Sequence, residues 1–332
     1  MKAIEMREIG GPEVLQLADR PRPELTGPDD ILVRLVAAGI NPIDTKVRSR
    51  GPLVADGLPA VLGCDGSGVV EAVGAQVTRF KPGDEVWFCH GGLGGPVGNY
   101  AEYIVLDNQF AQAKPRGIGF AEAAAAPLVL ITAWEALANR AGLSAGQTVL
   151  IHAGAGGVGH VAIQLARSAG ARVCTTVSGP EKAAFAHSLG AEYCINYREE
   201  NLVEAVMDWT GGQGVDVAFD TVGPACFRQS IPAMAAYGNL VTILDPGPDL
   251  DLKEARVRNL RLSLELMLTP QLRDLPRAQA HQGEILRRCG KLIDNGELKI
   301  HVSQTFPLAA AAQAHQLLEA GHVTGKLALT ID

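Results

Sequence analysis

Three glycines at fixed spacing carry the clearest chemical signal of the sequence. Gly154, Gly156 and Gly159 follow a β-rich run at residues 147–152 and open a run with helical periodicity. In this setting the first glycine permits a tight turn, the second lets the backbone approach a pyrophosphate, and the third lets helix and strand pack closely. The free N–H groups at the start of the helix then bind the anion. The spacing therefore predicts a dinucleotide-binding turn, whose contacts are Gly154, Gly156, Gly157, Val158 and Gly159.

The end of the next predicted strand, at residues 171–177, distinguishes between the two nicotinamide dinucleotides. A site for NAD places Asp or Glu there, about 20 residues after the glycines, to bind the ribose 2′-hydroxyl. This chain has no acid at that strand end; Ser178 can donate to a phosphate and Lys182 can supply positive charge. A solvated helix lysine is the alternative for Lys182. These residues favour NADPH, provided that Glu181 points away from the phosphate.

The elements around this turn change character along the chain. Four short β-rich runs lie between turns in the first third, at residues 31–36, 68–73, 85–88 and 100–106. They are typical of an antiparallel barrel or sandwich. From residue 120 a predicted helix, bent at Pro127, is followed by alternating strands and helices, which indicates a parallel sheet. A last predicted strand at 326–331 can return to the first sheet, in which case the second domain is inserted into the first.

Composition argues against several functional classes. The 332 residues are 47% apolar and 20% charged, as in ordinary globular proteins. A net charge of −7 without a dense Lys/Arg run argues against nucleic-acid binding. We expect no secretory leader and no membrane span, and hence a cytoplasmic protein. Six cysteines without CxxC spacing are expected to be free and mostly buried.

Further motifs accompany the glycines: GINPID at 39–44, GCDGSGVV at 63–70, FKPGDEV at 80–86 and INYR at 195–198. Together they resemble the medium-chain dehydrogenase/reductase superfamily, in its zinc-free quinone oxidoreductase (zeta-crystallin-like) branch, over essentially the whole chain. The resemblance implies an α/β fold: a GroES-like, mostly antiparallel β catalytic domain with an inserted Rossmann domain of doubly wound parallel sheet. We expect residues 1–122 and 271–332 to form the catalytic domain and 123–270 the NADPH-binding domain, with the active site between them.

The resemblance also implies a function. It predicts NADPH-dependent reduction of a quinone or an α,β-unsaturated carbonyl, commonly by a homodimer. In this family, residues at the positions of Tyr197 and Lys182 help to hold the 2′-phosphate, and a threonine at the position of Thr132 lies near the cofactor. A hydroxyl bonded back to its own helix is the alternative for Thr132. Lys326 is included among the candidate cofactor-binding residues, and residues 262–275 are expected to form either cleft wall or dimer surface.

Three positions of the sequence indicate whether the chain can bind a catalytic zinc. Alcohol dehydrogenases of the superfamily place Cys, His and Cys around a catalytic zinc, and the matching positions here are Asn41, Cys64 and Leu128. One thiol cannot hold the metal. The four-cysteine structural lobe is also missing, and Ile43 stands where the family has a proton-relay hydroxyl. The sequence therefore predicts a protein without a metal site.

The candidate catalytic residues are Asn41, Asp44 and Lys46. Asn41 precedes Pro42, so its backbone is biased toward extended structure; it either faces the nicotinamide or caps a turn. Asp44 either serves the site or bonds within its own loop. Lys46 replaces the tyrosine usual in this branch and either binds an acidic acceptor or points to water.

The leading hypothesis is hydride transfer from NADPH to an electron-poor carbon, with the resulting oxyanion stabilised by Asn41 or a water and protonated from solvent. Two alternatives stay open. An enoyl-thioester reductase would require a basic patch for its carrier. A non-catalytic NADPH-binding sensor or structural protein would carry the same glycines.

Overall fold

The computed structural model describes residues 1–54 and 57–332, which divide into two compact units. The β unit comprises Met1–Leu128, Leu268–Gly296 and Ile300–Asp332. The α/β unit comprises Val129–Met267 and Glu297–Lys299. The sequence placed the corresponding limits at residues 122 and 270.

Within these ranges the chain forms sixteen β-strands. In chain order they are β1 Lys2–Met6, β2 Leu15–Asp19, β3 Asp30–Ile40, β4 Ala60–Val61, β5 Asp65–Val73, β6 Glu85–Cys89, β7 Tyr103–Asp107, β8 Gln112–Ala113, β9 Thr148–Ile151, β10 Arg172–Val177, β11 Tyr193–Asn196, β12 Val215–Asp220, β13 Met234–Thr242, β14 Arg261–Leu264, β15 Val302–Pro307 and β16 Lys326–Thr330.

The same ranges contain eleven α-helices. They are α1 Pro42–Arg50, α2 Phe120–Ala125, α3 Pro127–Trp134, α4 Gly159–Ser168, α5 Pro180–Leu189, α6 Leu202–Trp209, α7 Pro224–Ser230, α8 Lys253–Val257, α9 Thr269–Leu272, α10 Pro276–Asp294 and α11 Ala311–Ala320. Helix α3 continues directly into a π-helical segment, Glu135–Arg140. The predicted bend at Pro127 is confirmed as the junction of α2 and α3.

The β unit is organised around β3, the longest strand. Its seven-stranded sheet has the order β15-β16-β3-β5-β6-β8, with β7 also paired to β3, and a smaller sheet contains β2, β1 and β4. Strand β16 pairs antiparallel with the end of β3, so the last strand does return to the first sheet, as predicted. Helix α2 packs so closely on β3 that a Cβ at Gly39 would collide with the carbonyl of Ala124. The pairing of Gly39 with Asp65 places the start of α1, which follows β3, beside the start of β5.

The α/β unit is a parallel six-stranded sheet with helices packed against it. The strand order is β11-β10-β9-β12-β13-β14, which corresponds to 3-2-1-4-5-6 of a dinucleotide-binding Rossmann sheet. Buried apolar residues from β9, β10, β11, β12 and β13 form its core with Val206 and Phe227 of the covering helices. Sequence reasoning predicted β9, β10, β12 and β13 but not the four-residue strands β11 and β14. Short strands at the sheet margins bury fewer side chains and leave a weaker pattern.

Two further expectations concern cysteines and membranes. All six cysteines are free, and Cys64, Cys89, Cys174 and Cys289 are buried, which confirms the prediction. In the part of the chain that the structure describes, no helix is both long enough and apolar enough to cross a membrane.

Helix α1 was not predicted, because Pro42 after Asn41 was interpreted only as part of a turn.

Candidate active site

The glycine turn (residues 153–159) connects β9 to α4 in the α/β unit. A Cβ at Gly154 would collide with the Thr175 side chain of β10, and one at Gly159 would collide with the Ala153 carbonyl. The turn starts with Ala153 in the left-handed region, at φ 52°. A non-glycine residue adopts this conformation only where its surroundings hold it there. Packing therefore requires glycine at positions 154 and 159.

Three backbone N–H groups of this turn are available to a ligand. Gly154 N donates to Thr176 O, and Gly156 N donates to Ala153 O. Among the described residues, no hydrogen bond uses the N–H groups of Gly157, Val158 or Gly159. These three donors stand at the positive end of the ten-residue helix α4. The arrangement is suited to an anion.

A buried neutral network supports the strained start of the turn. We call it the His152 network, and it contains His152, Thr176 and Ser230. Ala153 N donates to Thr176 Oγ1 over 2.9 Å, and Thr176 Oγ1 lies 3.5 Å from His152 Nδ1. Ser230 Oγ donates to Cys226 O, so it accepts from His152 Nε2 at 2.8 Å. Burial lowers the pKa of His152 to about 4, so the imidazole is neutral and each of its nitrogens has one partner.

Ser178 and Tyr197 follow neighbouring strands, and the structure brings them together. Ser178 comes directly after β10 and Tyr197 directly after β11, and Tyr197 N donates to Val177 O over 3.2 Å. Because the carboxyl ends of parallel strands share one sheet edge, both lie on the edge of the sheet from which the glycine turn emerges. Lys182 lies half-buried in the first turn of α5, after Ser178. Tyr197 and Glu181 are exposed.

Arg198 was missed as a candidate at this edge. It is exposed, and its N–H donates to Asn196 Oδ1 at the end of β11. Its signal was the INYR motif, in which only the tyrosine was singled out. Thr132 is buried on α3, and its cofactor role stays a prediction.

In the β unit, Lys326 joins the predicted catalytic residues in a buried charged network. We call it the Lys326 network, and it contains Lys326, Asn41, Asp65 and Asp44, all of them buried. The Lys326 ammonium donates to Ile40 O over 2.7 Å and to Asn41 Oδ1. Asn41 Nδ2 donates to Asp65 Oδ2 over 2.9 Å, and Asn41 N donates to Asp44 Oδ2 over 2.8 Å. Asn41 is the N-cap of α1 and is fully buried.

A directed chain of hydrogen bonds leads to Asp44 from the surface. Glu319 binds the buried Arg48 guanidinium through both oxygens, at 2.7 and 3.1 Å. Arg48 can only donate, so His315 Nδ1, 3.5 Å away, accepts. His315 Nε2 then donates to the Tyr100 hydroxyl over 3.1 Å, and Tyr100 donates to Asp44 Oδ2 over 3.1 Å. Sequence analysis predicted none of Arg48, Tyr100 and His315. They lie far apart in the sequence, and only the fold brings them together.

Burial dominates the electrostatics of this network. It raises the pKa of Asp44 to about 7 and that of Asp65 to about 6, although hydrogen bonds and Lys326 oppose it. Burial lowers the pKa of Lys326, with Asp65 the largest opposing influence. Burial also raises the pKa of the Cys64 thiol well above its ordinary value, so Cys64 carries its proton at neutral pH.

Lys46 is half-buried on α1, and burial followed by the nearby Arg50 lowers its pKa. Within residues 1–54 and 57–332 its side chain forms no hydrogen bond or ion pair with the Lys326 network, and its role at a substrate stays a prediction. Over residues 1–54 and 57–332, no group of three or more His, Cys, Asp or Glu side chains is arranged to hold a metal ion.

Comparisons with known proteins agree with this architecture. Residues 27–116 match the family model for the alcohol dehydrogenase GroES-like domain, and residues 189–329 match the model for zinc-binding dehydrogenases. A quinone oxidoreductase of Pseudomonas aeruginosa is 39% identical over 332 residues, covering 99% of both chains. An alcohol dehydrogenase superfamily protein from Novosphingobium aromaticivorans has a TM-score of 0.93 at 36% identity, covering 100% of both chains.

A third similarity concerns a structure with a bound dinucleotide. The Escherichia coli quinone oxidoreductase complexed with NADPH has a TM-score of 0.87 at 32% identity, covering 99% of this chain and 100% of that one. The predicted fold class and family are thereby confirmed. This chain belongs to the medium-chain dehydrogenase/reductase superfamily, in its quinone oxidoreductase branch, and is an oxidoreductase.

Proposed function

We propose that this chain is an NADPH-dependent reductase of quinones and α,β-unsaturated carbonyls that works without zinc. The observation that carries the proposal is the glycine turn, where Gly157, Val158 and Gly159 present three unused N–H groups at the start of α4. Adding a Cβ at Gly154 or Gly159 would fill the turn. The residues present therefore fit a pyrophosphate. The NADPH bound to the Escherichia coli relative supports the same cofactor here.

Three side chains would hold the adenosine 2′-phosphate. Ser178, Lys182 and Tyr197 lie at the carboxyl edge of β10 and β11, and among the described residues their side chains form no hydrogen bond or ion pair. One hydroxyl donor, one ammonium and one phenol are suited to a phosphate dianion. The absence of an acid at the end of β10 removes the residue that would favour NADH.

When bound, NADPH supplies a hydride to the electron-poor carbon of the acceptor. The chain itself must then stabilise negative charge on the acceptor oxygen. Asn41 Nδ2 carries two hydrogens, and its only partner among the described residues is Asp65. Buried donors are almost always satisfied, so the remaining hydrogen of this fully buried amide is suited to an oxygen of the acceptor. We propose that Asn41 donates to that oxygen as its charge develops.

The residues at the zinc-ligand positions support a reaction without metal. The Asn41 amide is engaged by Lys326 and Asp65. Cys64 is the only thiol at the three positions, and one thiol cannot hold the metal. Leu128 offers only its backbone N–H, which donates to Asp65 Oδ1 over 2.9 Å. Quinones and enones suit such a site, because conjugation delocalises the incoming charge without a Lewis acid.

We also propose that the protein forms a homodimer through the α/β unit. Strand β14 ends the sheet order; its last residue, Leu264, is 67% exposed, and Leu266, two residues on, is 51% exposed. An unpaired edge strand with exposed apolar side chains is suited to pairing with a second copy. Sedimentation velocity of the parent and of Leu264→Glu tests this: the parent should sediment as a dimer and the variant as a monomer. A monomeric parent would refute it.

The turnover assay that tests the proposed function follows NADPH oxidation with small para-quinones, ortho-quinones, 2-alkenals and an enoyl thioester. We expect turnover with the quinones and alkenals. Turnover with the thioester alone would favour the enoyl-thioester alternative. Tight NADPH binding without turnover of any acceptor would favour the non-catalytic alternative.

A further inference from the structure

Lys326 occupies a place that is unusual for a lysine. It is 4% exposed, and two of its three ammonium hydrogens are donated to Ile40 O and to Asn41 Oδ1, near the end of β3. Strand β16 carries Lys326 there by pairing with the end of β3, as Leu327 stands opposite Ile40. A buried ammonium is stable only where acceptors and negative charge surround it. Asp65 provides the largest share of that charge.

The contact with Lys326 determines which way the Asn41 amide points. A side-chain amide can be turned over, exchanging its oxygen and its nitrogen. An ammonium can only donate, so the atom facing Lys326 must be Oδ1. Asp65 Oδ2 can only accept while ionised, so the atom facing it must be Nδ2, as observed at 2.9 Å. One cation and one anion thus hold the amide from its two ends and leave one Nδ2 hydrogen unused.

The same network joins the other two positions that match zinc ligands in the superfamily. Leu128 N donates to Asp65 Oδ1, and Cys64 Sγ contacts Asp44 Oδ1 at 3.9 Å. All three positions are therefore tied to the carboxylates of the Lys326 network. The Lys326 ammonium itself contacts one of the three positions, through its hydrogen bond to Asn41 Oδ1.

We infer that Lys326 is a positioning residue: by donating to Asn41 Oδ1 it fixes the amide so that Nδ2 offers its free hydrogen to the acceptor oxygen. Lys326 acts through Asn41 and does not itself contact the acceptor. The inference rests on the proposed function, since it assigns a role to Lys326 in the same reaction.

A double-mutant cycle tests this role. Asn41→Ala removes the donor and should lower kcat on the order of tenfold to a hundredfold, and Lys326→Met should lower kcat to a similar extent. Because Lys326 acts through Asn41, the double variant should be no slower than Asn41→Ala alone. The Kd for NADPH should stay unchanged in all three, because the glycine turn is intact. Lys326→Arg, which keeps a cationic donor, should recover part of kcat.

Two controls separate positioning from folding. Lys81→Met removes an exposed lysine of the β unit and should leave kcat unchanged. Thermal unfolding identifies variants that do not fold; if Lys326→Met is one of them, Lys326→Gln takes its place in the cycle, and this shorter, uncharged donor should give a kcat below that of Lys326→Arg. Parental kcat in a folded Lys326→Met or Lys326→Gln variant, or losses that multiply in the double variant, would overturn the inference.

A readout without turnover distinguishes failure of the inference from failure of the proposed function. In ¹⁵N–¹H spectra of the full chain, the Asn41 Nδ2 hydrogens should give a well-dispersed, slowly exchanging pair, identified by its loss in Asn41→Ala. In Lys326→Met that pair should collapse toward the free-amide position and exchange faster. An unchanged pair would overturn the inference even in an active enzyme. A changed pair in a protein that reduces no acceptor would refute the proposed function and leave the positioning of the amide established.

Discussion

In the β unit, the Lys326 network combines an ammonium, an amide and two carboxyl groups; in the α/β unit, the His152 network combines a neutral imidazole with two hydroxyls. Both are buried, and both hold the chain just before a helix N-terminus, α1 in one unit and α4 in the other. The Lys326 network keeps buried charges beside Asn41, the proposed donor to the acceptor. The His152 network holds the strained Ala153 without placing a charge near the proposed pyrophosphate site.

Because only the Lys326 network is charged, losing one of its members should destabilise the fold more than losing a member of the His152 network. Removing one member of a buried charged network leaves an uncompensated ion, whereas hydroxyls and imidazoles can find other partners. In the α/β unit, the cationic group proposed for the 2′-phosphate, Lys182, lies outside the His152 network and is half-buried. Each of the following substitutions changes one side of this comparison.

Asp65→Ala should give the largest effect. It leaves the Lys326 ammonium without its main counter-charge, and Asn41 Nδ2 and Leu128 N without their acceptor. We expect a loss of about 3–5 kcal/mol in the free energy of unfolding, measured by thermal or urea unfolding. Asp19→Ala, which removes an exposed carboxylate paired with Lys2, is the matched control and should change little. Equal effects of the two substitutions would contradict a charged network that stabilises the fold.

Lys182→Glu should act on cofactor choice and leave the fold intact. A charge-assisted phosphate contact contributes about 1.5–3 kcal/mol, so the parent should bind NADPH on the order of tenfold to a hundredfold more tightly than NADH. The variant should lose most of that preference by weakening NADPH binding alone. Fluorescence titration with both dinucleotides measures it. A parent with equal affinity for the two would argue against a 2′-phosphate site at Ser178, Lys182 and Tyr197.

Thr176→Val should cost less than Asp65→Ala, because no charge is left unpaired. The Ala153 N–H loses its acceptor, and His152 Nδ1 loses a donor. We expect a loss of about 1 kcal/mol in stability together with weaker NADPH binding, since the left-handed Ala153 is less firmly held. Ser188→Ala on the exposed face of α5 is the control. Unchanged NADPH affinity in Thr176→Val would show that the His152 network does not support the glycine turn.

The two networks should also give stability opposite pH dependences. The folded protein keeps the Asp44 proton up to about pH 7, whereas the unfolded chain releases it near 3.8, so the contribution of Asp44 to stability falls as pH rises through that window. The folded protein keeps His152 neutral down to about pH 4, whereas the unfolded chain protonates it below 6.5, so the contribution of His152 rises with pH.

Two variants separate these contributions. Relative to the parent, Asp44→Asn should become more stable as pH rises from about 4 to about 7. His152→Asn should become less stable relative to the parent from about pH 4 to about 6.5. Urea unfolding at several pH values decides the matter. Stability differences with the same sign of pH dependence in both variants would be inconsistent with the assigned protonation states.

What the sequence could predict depended on distance along the chain. The glycine turn is local: strand, turn and helix lie within about twenty residues, so residue types and spacing were sufficient. The Lys326 network is not local, since Lys326 and Asn41 are 285 residues apart and meet only because β16 pairs with β3. The hydrogen bonds of Lys326 are to the end of β3, and its predicted contact with the cofactor stays a prediction. Helix α1 was missed although Asn41 at the N-cap, Pro42 at the first helical position and Asp44 at N3 are typical of a helix start.

The measurement closest to the central claim is NADPH oxidation by chelator-treated protein whose zinc content is determined by elemental analysis. We predict that protein without stoichiometric zinc reduces a small quinone at the same rate before and after chelation. The same protein should show negligible NADP⁺ reduction with simple primary or secondary alcohols, because nothing in the Lys326 network replaces the zinc that stabilises an alkoxide. Loss of quinone reduction on chelation with recovery on adding zinc, or robust alcohol oxidation by metal-free protein, would contradict the account.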